Sequence, residues 1–391
     1  MGLAEKLKHT VCSEVDKRLA ELNDISEKIW KNPELCFEEI YAHDLLTDIL
    51  EKEGFLVSRK TPIPTAFTAV YKNGDGINAG IVVEYDALPG IGHACGHNLI
   101  SEAGIGAALG IKAALMSGEI SGQLTVFGTP AEEGGGGKCI MIQHGCFDDV
   151  DFCIMAHPYV EDIIYHPELA FEHIQITYHG KASHASVAPW LGLNALDAVV
   201  QCYNNVSMMR QQMLPECRVH GIITKGGEKP NIIPQLCQLE YFVRGTTDEQ
   251  RDELKKKVLA CAQAASVSTG CKMEQKTLGH PYSNMLINNC LAKLFEQNGL
   301  KLDMHFKENP PNMVGSTDMG NVSHLKPSIH PMFKIPTAGA NHTVAFTEAA
   351  IKPEAQDPTI KIAKCMAMTA IDVLCDRKIL DAVNQDFQNN S

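Results

Sequence analysis

The chain has 391 residues, 45% apolar and 21% charged, with 31 Gly and 19 Pro. That composition excludes disordered and fibrous classes, and the length exceeds one comfortable hydrophobic core, so two domains or one domain with an insertion are expected. A formal net charge of -13, from 34 Lys+Arg against 47 Asp+Glu, argues against nucleic acid and membrane partners, which require a basic footprint.

The opening MGLAEKLKHTVC lacks the apolar run and cleavage site of a secretory signal, and no segment reads as an apolar stretch long enough to span a bilayer, so a cytoplasmic location is expected. Two amphipathic helices follow, Glu14 to Trp30 and Glu38 to Glu53, separated by the breaker Asn32-Pro33. FTAVY and AGIVVEYD are β-branched strand runs bounded by turns, and Asn98 to Gly118 reads as a buried helix rich in small residues. QLTVFGTP and DFCIMAHP repeat the strand theme, with a helix near Lys138 to Gln143 between them. Strands alternating with helices predict an α/β sheet whose ligand site lies beyond the strand C-termini. From Glu168 the texture becomes strand, helix, strand, strand, helix, a two-layer α+β unit. A helix near Pro281 and a long one from Thr359 to Leu374 then return the chain to the first sheet.

The pool of 14 Cys and 16 His lacks CxxC pairing, which speaks against a disulfide scaffold or a zinc finger. Its densest part is VVEYDALPGIGHACGHNL. A strand pattern ends at Glu84, Tyr85 and Asp86, and a glycine-rich loop then presents His93, Cys95 and His97 at alternate positions. Glycines allow turns tight enough for thiolate and imidazole to converge on one divalent ion, and Asp86 is placed to fix an imidazole tautomer. In TPAEEGGGGK the adjacent Glu132 and Glu133 repel unless a cation or proton intervenes, which suggests a ligand beside a proton carrier. Lys138 is followed by Cys139, so the glycines do not form a nucleotide loop. His157 closes a strand in IMAHP, and His342 sits far along the chain in TAGANHTVAFTE. Cys95, His97, Glu133, His157 and His342 are more ligands than one open zinc site needs and indicate two bridged ions. Plainer readings stand beside these: a glycine turn around a buried thiol, two solvated glutamates, or lone structural histidines.

In order, EYDALP, GHACGH, AEEGGGG, AHP and ANH resemble the motifs of the peptidase M20 family. These are di-metal peptidases and amidohydrolases that include aminoacylase, bacterial glutamate carboxypeptidase and the plant auxin-conjugate hydrolases. The likeness spans nearly the whole chain, and GSTDMGNVS, Gly315 to Ser323, is similar to the branch holding aminobenzoyl-glutamate hydrolases and β-alanyl-lysine dipeptidases. The resemblance implies an α/β fold: a phosphorylase/hydrolase-like catalytic domain, with a mixed central sheet flanked by helices, and an inserted two-layer α+β, ferredoxin-like lid. On this chain 1–167 and 284–391 would form the catalytic domain and 168–283 the lid, through which a homodimer would assemble. Two divalent ions per subunit are implied, zinc by thiolate preference with manganese or cobalt as alternatives.

By the same resemblance Glu132 would be the general acid/base and Asp86 would orient a ligand. His184 in GKASHAS would polarise the scissile carbonyl, reaching across a dimer, while Asn231 in PNIIP and Arg244 in FVRG would hold the substrate carboxylate or carbonyl. Asp318 in the GSTD loop is read as facing a cationic substrate side chain, with helix capping as its plainer role. Glu84 stands where many relatives carry a metal-binding His. The expected activity is hydrolysis of small dipeptides, β-alanyl- or γ-aminobutyryl-lysine or -ornithine. The alternatives are an aminobenzoyl-glutamate or N-acyl-amino-acid hydrolase and, outside enzymes, a catalytically silent binding protein.

Overall fold

The computed structural model describes residues 2–308 and 315–390 and divides into two compact units. One comprises the residues before Glu168 and the described residues after Asn284 other than Gly315–Thr317; the other comprises Glu168–Asn284 with Gly315–Thr317. The first unit begins with helices α1 (Leu3–Lys17), α2 (Leu19–Lys31) and α3 (Ile40–Lys52), then strands β1 (Leu56–Arg59), β2 (Phe67–Asn73) and β3 (Ile77–Glu84). Helix α4 (His97–Met116), β4 (Gly122–Thr129), α5 (Gly137–Gln143), β5 (Phe152–Ile154) and β6 (His157–Tyr159) follow. The second unit contains β7 (Ala170–His179), α6 (Ala195–Met209), β8 (Arg218–Lys225), β9 (Leu236–Gly245), α7 (Asp248–Thr269) and β10 (Lys272–Tyr282). The chain returns with α8 (Asn289–Leu300), α9 (Met319–Leu325), β11 (Ser328–Ile329), β12 (Met332–Lys334), α10 (Val344–Ala349), α11 (Gln356–Cys375) and α12 (Arg377–Asn390).

The first sheet runs β1-β2-β4-β3-β5-β11. Its β1/β2 and β2/β4 pairs are antiparallel, whereas β4/β3, β3/β5 and β5/β11 are parallel. This is the expected mixed α/β sheet. Every residue of β3 is buried, as a central parallel strand covered on both faces requires. Helix α4 lies on it so closely that a Cβ on Gly104 would stand 2.2 Å from Val83 Cγ1; the small residues of this helix therefore allow the contact. By length and composition α4 is apolar enough to cross a membrane, contrary to the expectation that no segment is. However, 83% of its most apolar window is buried inside the unit, between sheet and helices.

Three further differences are local. The expected helix from Glu14 divides at Arg18, whose guanidinium binds Glu14, Glu21 and Glu53 at 3.0, 3.0 and 2.7 Å. The region near Pro281 is the end of β10 rather than a helix, because its backbone pairs with β7. Helix α12 was not foreseen; it buries only Leu380 and Val383 and is otherwise polar.

The second unit has the order β-α-β-β-α-β and an antiparallel sheet β10-β7-β9-β8, the ferredoxin-like arrangement. Ile174, Ile176, Tyr178, Leu239, Tyr241 and Val243 alternate inward against α6 and α7. Strand β8 is an edge and largely exposed, with Ile222 65% and Ile223 41% accessible.

Buried carboxyls in the first unit make its stability depend on pH. Glu102 of α4 is fully enclosed, and its Oε2 accepts from Gln356 Nε2 at 3.3 Å. Burial raises its pKa from 4.5 to about 7, against small opposing contributions from Gln356 and Ser26. The folded value lies above the unfolded one, so this contribution is fully present below about pH 4.5 and is lost as pH rises through about 7. Glu102→Gln is expected to flatten that slope and to stabilise the protein at pH 8 by up to roughly 3 kcal/mol. Urea melts of both proteins at pH 5 and pH 8 measure this; an unchanged slope in the variant would reject it.

Candidate metal centre

The C-terminal ends of β3, β4 and β5 lead into the segments bearing the expected ligands, the position where open α/β sheets gather ligands. Glu84 is the last residue of β3, Glu132 and Glu133 follow β4, and His157 follows β5. Cys95 and His97 flank Gly96, the N-cap of α4 at φ 75°, where a Cβ would stand 2.6 Å from Pro158 Cγ. The distant His342 is tied to the same loop. Its backbone N donates to Ala94 O at 2.9 Å, and Asn341 Nδ2 donates to Pro158 O at 3.1 Å.

Cys95 Sγ is 3.4 Å from His157 Nε2 and 3.5 Å from His342 Nε2. His342 Nε2 lies 3.4 Å from Glu133 Oε2, and His97 Nε2 lies 3.9 Å from Glu133 Oε1. The five side chains form two ligand groups, Cys95/His97/His157 and Cys95/Glu133/His342, with donor atoms within 4.8 Å of one another in each. Cys95 belongs to both, as a bridging thiolate would. Glu84, His97 and Glu132 make a third such group, with Glu84 Oε2 3.6 Å from His97 Nε2.

Orphaned atoms test the fit to cations. His97 Nε2, Glu133 Oε1 and Glu84 Oε2 are buried and lack hydrogen-bond partners among the described residues, a costly state unless another group completes them. Asp86 accounts for the other side of the cluster: its Oδ1 lies 3.0 Å from His97 Nδ1, and its Oδ2 accepts from Glu133 N at 2.9 Å. Burial opposes its charge, yet His97 and these bonds hold Asp86 at about 2. Asp86 thereby holds the Nδ1 proton of His97 and directs Nε2 toward the ligand group. Burial, then His97, pushes His157 down to about 3, leaving a neutral imidazole with an available lone pair. Burial and Glu133 push the Cys95 thiol well up, so its thiolate form calls for a cation. Burial, Glu84, Glu133 and Asp318 also raise Glu132 well above the ordinary carboxylate value, the environment of a group that carries a proton near neutrality. The donors fit divalent metals.

Asp318 differs from its expected place facing substrate. Its side chain is fully buried, and it accepts from Lys138 Nζ at 2.6 Å and Lys138 N at 3.0 Å. Lys138 is itself fully buried and also binds Glu84. A buried ammonium needs counter-charges, and Asp318 is one of them; it makes no side-chain capping bond to α9.

In the second unit His184 and Asn231 are neighbours, with His184 paired to Ile232 and Ala185 N donating to Asn231 O at 3.0 Å. His184 is exposed, and its Nδ1 accepts from Ser186 N and Oγ at 3.3 and 3.2 Å. Arg244 lies elsewhere: its Nη1 donates to Ser316 Oγ at 2.6 Å, and its guanidinium stacks 4.7 Å from the Phe171 ring centroid. Arg244 pairs with Phe171 at one end of β7, whereas the His184 segment follows His179 at the other, roughly 25 Å away along the strand.

Sequence reasoning missed the Lys138–Glu84 link, because partnership across the sheet leaves no local pattern. It also missed His330, whose buried ring nitrogens lack partners among the described residues and whose ring stands edge-on 5.7 Å from His157. Its IHP setting echoes the AHP of His157 and was the available signal. His93, in the same loop as Cys95, lies outside the ligand groups, with Nε2 3.1 Å from Ile29 O.

Residues 172–269 match the peptidase dimerisation domain of the M20 family. The chain is 44% identical to the Xaa-Arg dipeptidase of Homo sapiens over 98% of its own length and 92% of that protein. It is 33% identical to a p-aminobenzoyl-glutamate hydrolase component of Escherichia coli K12, over 64% of this chain and 56% of that one. Among solved structures, a Bacillus subtilis protein described as a dinuclear metal binding peptidase superposes with TM-score 0.71 at 18% identity, covering 92% of this chain and 99% of that one. The aminobenzoyl-glutamate utilization protein of Klebsiella pneumoniae superposes with TM-score 0.71 at 14% identity, covering 92% and 97%. At these identities the superpositions concern the fold.

The burial of Asp318 leads to a direct comparison. Lys138→Met, which strands two carboxylates, is expected to cost about 3–5 kcal/mol, and Asp318→Asn should lower the thermal midpoint whether or not substrate is present. A substrate-facing Asp318 would instead give an increased KM at unchanged stability in Asp318→Asn.

Proposed function

With the chain a member of the M20 family of metallopeptidases, we propose that this metal-dependent dipeptidase cleaves dipeptides with a cationic C-terminal residue. The candidates are β-alanyl- or γ-aminobutyryl-lysine or -ornithine. The observation that carries the chemistry is the sharing of Cys95 between two ligand groups, and the Xaa-Arg name of the human relative adds arginine to the candidate residues. Two divalent ions per subunit, held by Cys95, His97, Glu133, His157 and His342, would polarise the scissile carbonyl and make water a better nucleophile when bound. Zinc suits the thiolate, with manganese or cobalt as alternatives.

Glu132 accepts the proton from the attacking water and delivers it to the departing amine. Its enclosure among other carboxylates supports that role. Asp86 keeps the proton of His97 on Nδ1. His184 supplies the oxyanion donor: an Nδ1 that accepts from Ser186 N puts the imidazole proton on Nε2, at the exposed edge. Asn231 and Arg244 bind the substrate's carbonyl and carboxylate.

The separation of Arg244 from His184 and Asn231 along β7 supports assembly as a homodimer through the lid, with His184 and Asn231 serving the partner's site. The location is the cytoplasm, in keeping with 14 free thiols. The 33% identical hydrolase component favours a second reading, cleavage of aminobenzoyl-glutamate.

A substrate panel separates these readings. β-Alanyl-lysine and an Xaa-Arg dipeptide should be turned over well above aminobenzoyl-glutamate, and the reverse order would establish the second reading. In the same assay Glu132→Gln should lose roughly 10²- to 10⁴-fold in kcat while retaining its zinc, measured by elemental analysis. Mixed dimers test the assembly. His184→Ala and Arg244→Ala, each nearly inactive, should recover up to about a quarter of wild-type activity when co-expressed, because half of a random mixture carries one intact site of two. Absence of recovery would show that the residues serve the same chain.

A further inference from the structure

Segment 33–39, PELCFEE, lies against the loop that carries the paired glutamates, and one side chain joins them. Glu39 is fully buried at the N-cap of α3. Its Oε1 accepts from two backbone amides, Phe37 N and Ala131 N, both at 2.9 Å, and its Oε2 accepts from Thr65 Oγ1 at 2.8 Å. Both amide donors belong to residues in the left-handed region without being glycine: Phe37 at φ 65° and Ala131 at φ 59°. Such residues persist only where the surroundings over-determine them, and they gather at functional sites.

Ala131 immediately precedes Glu132 and Glu133, so its backbone angles set the directions in which those two carboxylates leave the loop. Behind it the loop folds on itself, with Gly135 N and Gly136 N both donating to Ala131 O at 3.0 and 2.8 Å. The Phe37 ring covers the turn: a Cβ at Gly135 would lie 2.3 Å from Phe37 Cε2 and 2.9 Å from Ala131 Cβ. Cys36 Sγ also reaches Asp86 Oδ2 at 3.5 Å, on the oxygen that accepts from Glu133 N.

We infer that Glu39 is a positioning residue for the paired glutamates: its carboxylate, acting through the Ala131 amide, holds the left-handed turn that aims Glu132 and Glu133 into the ligand cluster. The inference rests on the roles proposed above for those two glutamates. Without this acceptor the buried Ala131 N–H loses its partner, and Ala131 relaxes toward the β or right-handed region, turning both carboxylates away. Glutamine at position 39 keeps an oxygen for the two amides and an NH2 that the Thr65 hydroxyl can accept from. Alanine keeps neither. Glycine at position 131 adopts positive φ without steric cost, so it should restore the turn where the acceptor is missing.

The test compares wild type, Glu39→Gln, Glu39→Ala, Ala131→Gly and the double variant Glu39→Ala/Ala131→Gly. Metal-free protein is followed by hydrogen-exchange mass spectrometry, and each variant is titrated with zinc. In Glu39→Ala, exchange should accelerate selectively across residues 130–137, and zinc affinity should fall roughly 10- to 100-fold, as when the partner of a metal ligand is removed. Its kcat should fall more than its KM rises. Glu39→Gln should stay near wild type, and the double variant should regain much of the zinc affinity lost by Glu39→Ala. The inference is overturned if exchange across 130–137 is unchanged, if it rises equally throughout the molecule, or if glycine at 131 restores nothing. Failure of the wild type to take up zinc would instead overturn the metal reading of the centre, while the exchange comparison would still decide whether Glu39 holds the turn.

Discussion

Carboxylates collected at the end of a buried sheet repel one another, and the first unit is organised around relieving that repulsion. Glu84, Asp86, Glu132, Glu133 and Asp318 all approach the ends of β3, β4 and β5. Lys138 neutralises Glu84 and Asp318 from inside. His97 pairs with Asp86, and His342 lies against Glu133. Among the described residues, orphaned atoms remain on His97, Glu133 and Glu84, and on His330 beside His157. Together with Cys95, His157 and His342, the atoms on His97, Glu133 and Glu84 form donor groups that suit a divalent-metal hydrolase.

The scaffold holds these groups with little freedom. Cys95 and His97 enter α4 through a left-handed glycine pressed against Pro158, His342 is hydrogen-bonded to the same loop from far along the chain, and Glu133 N is held by Asp86. Local strain is concentrated here: Phe37, Ala131 and His342 are all non-glycine residues at positive φ. Ligand geometry of this kind comes from hydrogen bonds that over-determine the backbone rather than from flexible side chains reaching inward. The second unit follows different rules. Its alternating strands and amphipathic helices build a separate core, and its chemically interesting groups sit at the two ends of one strand.

Much of the candidate metal centre was legible because its parts are local. HACGH, EEGGGG and AHP each place a candidate ligand beside a glycine, a proline or a strand end, and turn chemistry is written in neighbouring residues. The α/β sheet and the two-layer α+β unit followed from periodicity in the same way, whereas the mixed strand directions and the ferredoxin-like order came from the family resemblance. The substrate-facing reading of Asp318 rested on the GSTD loop alone, whereas its ion-pair partner, Lys138, lies 180 positions earlier in the chain. Glu39 carried no signal either, since a glutamate at a helix start normally caps or is solvated, and here it holds a loop 92 positions away.

By itself the sequence determined which residue types stand at the turns after the strands, and therefore the class of chemistry, because backbone preferences and ligand identity are properties of short segments. Only the tertiary structure decided which buried charges neutralise one another, that Cys95 is shared between two ligand groups, and that Arg244 lies far from His184. Those are distances between segments remote in the chain, and Coulomb and hydrogen-bond energies depend on such distances rather than on order along the sequence.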